Sequence, residues 1–260
     1  MADIPLTASL RDEYESLFAT CDIRDGVAAA VERLVDRIAA SEARYAAVTE
    51  ALGQPPWPVI AVLHAMECGL DFSAHLHNGD PLSARTTHVP KGRPPDGEPP
   101  FTWEASASDA LRFEGWTRWT DDSVAGTLYR IERYNGFGYR LHHPDVLSPY
   151  LWAGSVHYTR GKYVADGTWS PTAVSRQIGA AVLLRRMAER GLARFDGAAP
   201  DDVPRVGYAP RSVSEPAMAL QRWLNTHPGI YLKVDGKAGR LTSDAFHAVT
   251  GHYLDGDPRG

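Results

Sequence analysis

Apolar residues recur at helical spacing along most of the first 195 positions. A short segment near 8–20 is followed by Val27, Val31, Leu34, Val35 and Ile38, which fall on one stripe and predict a helix over roughly 25–50. Pro55 and Pro56 can open the next helix, because proline is tolerated in a first turn, and Val59, Val62, Leu63, Met66 and Leu70 then share a face. Gly69 supplies its stop. Thr102 caps a helix over about 103–115, and Ser123 caps another over about 124–134. Ser170-Pro171 has the cap-then-proline signature of a last long helix through Ile178, Val182 and Met187. Only 76–101 reads differently. Asn78-Gly79-Asp80 signals a turn, and the β-forming run PLSARTTHVP after it predicts a small hairpin or ribbon beside the end of the Pro55 helix.

The pattern breaks at 196–211, where DGAAPDDVPRVGYAPR alternates small, acidic and proline residues without helical period and reads as a linker. Beyond it Leu220, Trp223 and Leu224 return to helical spacing, as do Phe246, Val249 and Tyr253. The expected class is therefore mainly α with a minor β component. A helical domain with a small β-hairpin covers 1–195, a linker 196–211, and a small helical domain 212–260.

Composition narrows the function classes. A formal net charge of −5 argues against nucleic acid, which calls for a basic face. No apolar run reaches the length of a membrane span, so no membrane is expected as a partner. The start MADIPLTASLRDEYESLF lacks a charged stretch leading into an apolar one, so no Sec signal is expected. Cys21 and Cys68 are too few for a disulfide framework and are expected as reduced, buried thiols.

Glu67 carries the sharpest chemical signal. It lies beside the apolar stripe near the last turn of its helix, where partial desolvation favours the neutral carboxyl and makes a proton donor near neutral pH. A glycosidase needs a second group across the scissile bond. Asp80 is the best candidate, with the Thr86 and Thr87 hydroxyls able to hold a water; the bland alternative is that Asp80 only caps a turn. Tyr134, Asn135 and Tyr139 are expected to contact substrate, because they flank Gly136 and Gly138, where a backbone can come close to a bound chain. Asn135-Gly136 is also an ordinary helix end. Trp103, Tyr129, Tyr150 and Trp152 suit either sugar stacking or a helical core.

Other chemistries fit less well. His75, His77, Asp80, His142, His143 and His157 invite a metal, but no third ligand falls at a recognised interval and His-Glu-x-x-His is absent, so neither metal nor organic cofactor is expected. His64 reads as a satisfied groove or core histidine. There is no Gly-x-Ser-x-Gly elbow for a serine nucleophile. Cys68, directly after the helical glutamate, reads as packing.

A glutamate ending a core helix, a turn aspartate and a threonine six residues further on resemble the Glu/Asp/Thr arrangement of phage-type lysozymes, with a longer gap from Glu67 to Asp80. The run Tyr134-Asn135-Gly136-Phe137-Gly138-Tyr139-Arg140 is similar to the Tyr-Asn-Ala-Gly motif of soluble lytic transglycosylases and goose-type lysozymes, which lines the sugar groove facing the catalytic glutamate. Residues 8–195 as a whole resemble phage and bacterial lysozyme-family proteins with MES-like, HLHNGDPL, YNGxGYR and SPYLW runs, with Cys68 where a serine is expected. The pattern LQxxL…VDGxxGxxTxxA over about 212–258 resembles a peptidoglycan-binding domain, carried here by Asp235, Gly236, Gly239 and Thr242. Its alternative is a three-helix module that only stabilises the chain or mediates oligomers.

The resemblance implies a lysozyme-like α+β fold acting on peptidoglycan. Glu67 would protonate the oxygen between N-acetylmuramic acid and N-acetylglucosamine while Asp80 and Thr86 hold a water. Inversion would follow, with carboxyl groups roughly 6.5–9.5 Å apart. Without a Sec signal, a holin, a phage particle or a specialised secretion system would bring the enzyme to the wall. Two alternatives stand beside it: a lytic transglycosylase using Glu67 alone, and a non-catalytic wall-binding or virion structural protein.

Overall fold

The computed structural model describes residues 4–165, 167–195, 206–250 and 253–259. The chain falls into two compact units, Met1–Asp121 with Ala125–Met187, and Asp122–Val124 with Ala188–Gly260. The protein is predominantly helical, and no helix among the described residues is long and apolar enough to cross a membrane.

The first unit opens with α1 (Ala8–Ala19), α2 (Asp25–Ala40), α3 (Glu42–Leu52) and α4 (Trp57–Cys68). Thr7 starts α1 as a side-chain cap, its hydroxyl accepting from the Leu10 N–H at 3.2 Å. The stripe expected over 25–50 makes two helices. They break at Ser41, whose N–H turns back to the Ile38 carbonyl, and neither glycine nor proline marks the place. In α4, Pro58 to His64 and Met66 are all buried, so up to His64 this helix is enclosed on every side and forms the middle of the core, while Glu67 near its end is exposed. Helix α3 packs beside α4, and α5 (Trp103–Phe113) packs against α3. Tyr45 of α3 meets Trp103 of α5 edge-on at 5.5 Å.

A short 3-10 turn (Trp116–Arg118), α6 (Val124–Asn135), α7 (Gly138–His142) and α8 (Pro149–Trp152) follow. Two strands, β1 (Lys162–Ala165) and β2 (Thr168–Ser170), then pair antiparallel with Tyr163 opposite Trp169. Among the described residues this is the hairpin, and it comes later in the chain than the one expected near 76–101. That stretch forms loops instead, with a single isolated bridge between Ala74 and Pro81. Prolines 81, 90, 94, 95, 99 and 100 explain the difference: each removes an N–H that a strand ladder would use. The last helix, expected from 171, begins at Ala180 as α9 (Ala180–Glu189).

The second unit contains α10 (Glu215–Leu224) and α11 (Arg240–Thr250). The Ser214 hydroxyl accepts from the Ala217 N–H at 3.2 Å and caps α10. Leu220, Leu224, Ala245 and Leu254 are the centre of a separate small core. Of the expected linker, 196–205 lie outside the described residues. Residues 206–211 belong to this second unit: Tyr208 donates its N–H to the Asp255 carbonyl at 2.8 Å, and Ala209 pairs with Ala238.

Candidate active site

Glu67 is the last residue but one of α4. Two left-handed residues, Gly69 (φ 59°) and Leu70 (φ 65°), turn the chain away immediately after it. A leucine rarely adopts this conformation, at a cost of about 1–2 kcal/mol. Burial of its side chain and a bond from its N–H to the His64 carbonyl (3.3 Å) hold it there. The end of α4 is tied from outside as well, since the Gln177 amide donates to the Met66 carbonyl at 2.8 Å. That carbonyl belongs to the last helical turn, which has no partner within the helix.

The Tyr150 hydroxyl donates to Glu67 Oε1 at 2.6 Å. Tyr150 stands on α8, every residue of which is buried. Helix α8 can sit where it does because residue 179 is glycine. A Cβ there would lie 2.2 Å from the Leu151 carbonyl oxygen, while the Gly179 N–H donates to Ala153 at 2.7 Å. The sequence groups Tyr150 with the aromatics suited to core or stacking. Its partner is 83 residues away in the chain and has no local signature.

Glu67 is open to water, yet protein surrounds enough of its carboxyl that burial raises its pKa above the ordinary carboxylate range. The side chain is thus exposed to solvent while its carboxyl has protein close around it. The Tyr150 hydrogen bond works the other way and favours the carboxylate, while the charge of Glu114 raises the pKa further. Glu114 is the residue that closes α5. Its carbonyl accepts from the Arg130 guanidinium, which stands 4.7 Å over the Trp116 ring, and Trp116 lies 6.3 Å from the Tyr134 ring. Burial raises the Tyr134 pKa first, and the charges of Glu67 and Glu114 add to it. Glu67, Glu114, Tyr134 and Tyr150 thus share one neighbourhood. Sequence reasoning does not find Glu114; the Glu114-Gly115 helix end marks a loop start and nothing more.

The remaining expected site residues are distributed. Asn135 is exposed at the end of α6, followed by Gly136 at φ 93°. Tyr139 is buried against the hairpin, edge-on to Tyr163 (5.4 Å) and Trp169 (5.7 Å), and its hydroxyl accepts from the Tyr163 N–H at 3.3 Å. Asp80 is buried inside the loop that follows α4. Its Oδ2 accepts from the N–H groups of Thr87 (2.7 Å) and His88 (2.9 Å), and from the Thr87 hydroxyl (3.3 Å). Its Oδ1 meets His88 Nδ1 at 2.6 Å. The backbone and then the side-chain bonds from His88 hold the Asp80 pKa well below the usual carboxylate range. Thr86 is buried too. Its hydroxyl donates to the Pro90 carbonyl and accepts from the Arg93 N–H at 2.9 Å. Asp80, Thr86 and Thr87 therefore bond chiefly within their own loop.

His64 lies buried between the Tyr45 hydroxyl (Nδ1, 3.0 Å) and the Asp71 carbonyl (Nε2, 3.0 Å), and burial lowers its pKa to about 4. The Cys68 thiol donates to the His75 carbonyl at 3.3 Å and is pushed up to about 12, chiefly by burial, which keeps it a thiol at neutral pH. Among the described residues no three His, Cys, Asp or Glu side chains are grouped to hold a metal ion.

In the second unit, the buried Gln221 amide organises the Asp-Gly turn. It accepts from the N–H groups of Asp235 (3.0 Å) and Gly236 (2.8 Å), and donates to Asp235 Oδ1 (3.0 Å) and to the Thr242 hydroxyl (3.2 Å). Gly236 has φ 71°, and a Cβ on it would lie 3.0 Å from the Ser214 carbonyl. Gly239 runs close to Pro210. The fixed spacing of Asp235, Gly236, Gly239 and Thr242 has a structural cause in this turn.

Compared with protein-family models, with curated proteins and with solved structures, the chain matches none.

Proposed function

We propose that this protein cleaves the glycan strand of peptidoglycan, with Glu67 as the general acid that protonates the oxygen between N-acetylmuramic acid and N-acetylglucosamine. One observation carries the reading: a solvent-accessible helix-end carboxyl with the Tyr150 hydroxyl 2.6 Å away to fix its direction and its pKa raised by burial. Such a group is protonated at higher pH than an ordinary glutamate, and can pass its proton to a leaving oxygen as the sugar develops oxocarbenium character. In this reading Tyr134, whose hydroxyl feels the Glu67 charge, and the exposed Asn135 beside it serve as sugar contacts. The second unit, with its Asp235–Thr242 turn, acts as the wall-binding module. A holin, a phage particle or a specialised secretion system would bring the enzyme to the wall.

Two fates follow the bond break. Water gives a reducing end, as in a muramidase with Asp80 and Thr86 holding that water. Attack by the 6-hydroxyl of the muramic acid gives an anhydro end, as in a lytic transglycosylase. The second fate gains support from Asp80, whose oxygens already accept from Thr87 and His88. Mass spectrometry of fragments released from purified sacculi separates the two. Glu67→Gln is expected to abolish release of both products while circular dichroism and thermal unfolding remain those of a folded protein. Turnover by that variant at the parent rate overturns the assignment.

A further inference from the structure

A groove of about 690 Å³ opens between α2, the last turn of α4 and residues 176–178. Its apolar lining includes Val27, Leu34, Met66 and Ile178, and its cations are Arg33, Arg37 and Arg176. All three arginines are exposed. Arg33 and Arg37 lie four residues apart on one helical face, where like charges repel. Arg37 donates to the Gly69 carbonyl at 3.4 Å, and among the described residues none of the three forms an ion pair.

Several arginines elsewhere have acidic partners, Arg44 with Glu104, Arg93 with Asp109, Arg140 with Glu132 and Arg186 with Glu32, whereas Arg112, Arg118 and Arg160 have none among the described residues but do not line this groove. In a protein with 32 acidic residues against 27 basic ones, three unpaired cations lining a groove with no acidic side chain call for an anion from outside.

We propose that this groove binds a short carboxylate-bearing peptide, the arm that branches from the glycan at muramic acid. The choice of that polymer rests on the function proposed above. Guanidinium groups take carboxylates through paired N–H bonds, and the apolar floor suits alanyl methyls and the aliphatic stem of a diamino acid. A phosphate would use the cations and leave the floor empty.

The reach is adequate. Ala65, Met66 and Gly69 line the groove, and Glu67 projects from another face of the same helix end. A helix is about 10–12 Å across with its side chains. A five-residue arm extends to about 17 Å. A sugar at Glu67 can therefore send its peptide round the end of α4 into the groove, so the enzyme prefers peptide-bearing strands.

The test uses the full chain and the free tetrapeptide L-alanyl-D-glutamyl-diaminopimelyl-D-alanine, titrated by calorimetry. The parent protein is expected to bind it, and Arg33→Gln/Arg37→Gln/Arg176→Gln to bind at least about ten-fold more weakly, the loss of one or two charged hydrogen bonds. Arg176→Gln alone, in a non-helical segment, gives a smaller loss in the same direction if the triple variant unfolds. No binding by the parent, or equal binding by folded variants, overturns the proposal. Inorganic phosphate displacing the peptide at equal concentration overturns the choice of ligand. Cleavage provides a second readout. The ratio of kcat/KM on peptide-bearing strands to that on strands stripped by an amidase should fall about ten-fold in the triple variant. If the parent cleaves neither polymer, the glycosidase reading fails, while the tetrapeptide titration still decides the groove.

Discussion

At Glu67 three influences act with known signs, and two can be removed singly. The Tyr150 hydrogen bond favours the carboxylate, so Tyr150→Phe should raise the Glu67 pKa and move the alkaline limb of kcat/KM to higher pH. The Glu114 charge disfavours the carboxylate, so Glu114→Gln should move the same limb to lower pH. Parallel shifts in the two pH profiles would refute this balance. Stability should register the third influence, burial. A folded-state pKa above the unfolded value of about 4.3 means that the folded protein holds the proton more tightly. That contribution is complete below the unfolded pKa and is lost as pH rises through the folded one. Glu67→Gln should accordingly raise Tm on the alkaline side, where the folded carboxyl has lost its proton, and change it little near pH 4, as measured by thermal unfolding at both. Glu67 is legible in the sequence because a helical stripe and a stop glycine are local facts. Tyr150 and Glu114 are illegible because only the fold brings residues 67, 114 and 150 together.

The helix start at Thr102 is readable from the chain because the cap hydroxyl accepts from an N–H three residues on, and Thr7 and Ser214, not singled out in the sequence, cap their helices in the same way. Elements fixed by long-range partners are not readable in this way. The loop after α4 has β-forming composition but too many prolines for a ladder, and the bonds that a partner strand would supply go partly to Asp80 and Thr86. Gly167, at φ 66°, turns the chain ahead of the second strand of the real hairpin, and the cap-like Ser170-Pro171 that follows hides that signal in the sequence. Helix α8 tests how an element sets the site. Gly179→Ala forces a Cβ onto the Leu151 carbonyl, so α8 or the 176–179 stretch must move. We expect a loss of about 1–3 kcal/mol in denaturant unfolding. The alkaline limb should shift as in Tyr150→Phe, because Tyr150 leaves Glu67. A variant of full stability would show that the close approach at residue 179 does not constrain α8.

Across the whole molecule, each unit has a hydrophobic core of its own. Truncation after residue 205 should leave cleavage of soluble glycan strands intact, since Glu67, Glu114, Tyr134 and Tyr150 all precede it, and should weaken co-sedimentation with sacculi, because a tethered module raises local concentration at the polymer. Loss of cleavage on soluble strands would make the second unit part of the catalytic machinery. The burial of α4 from Pro58 to His64 has a different kind of consequence, for how such an enzyme can adapt. That stretch has no solvent-facing side and so no silent positions, and nearly every change along it alters core volume. Selection for work in more acidic or more alkaline surroundings therefore has little room on the helix that carries the acid. Glu114 offers that room. It is exposed, sits on another element and acts on Glu67 through charge alone, so a series of side chains at position 114 would make a graded set of enzymes with different working pH and one unchanged core.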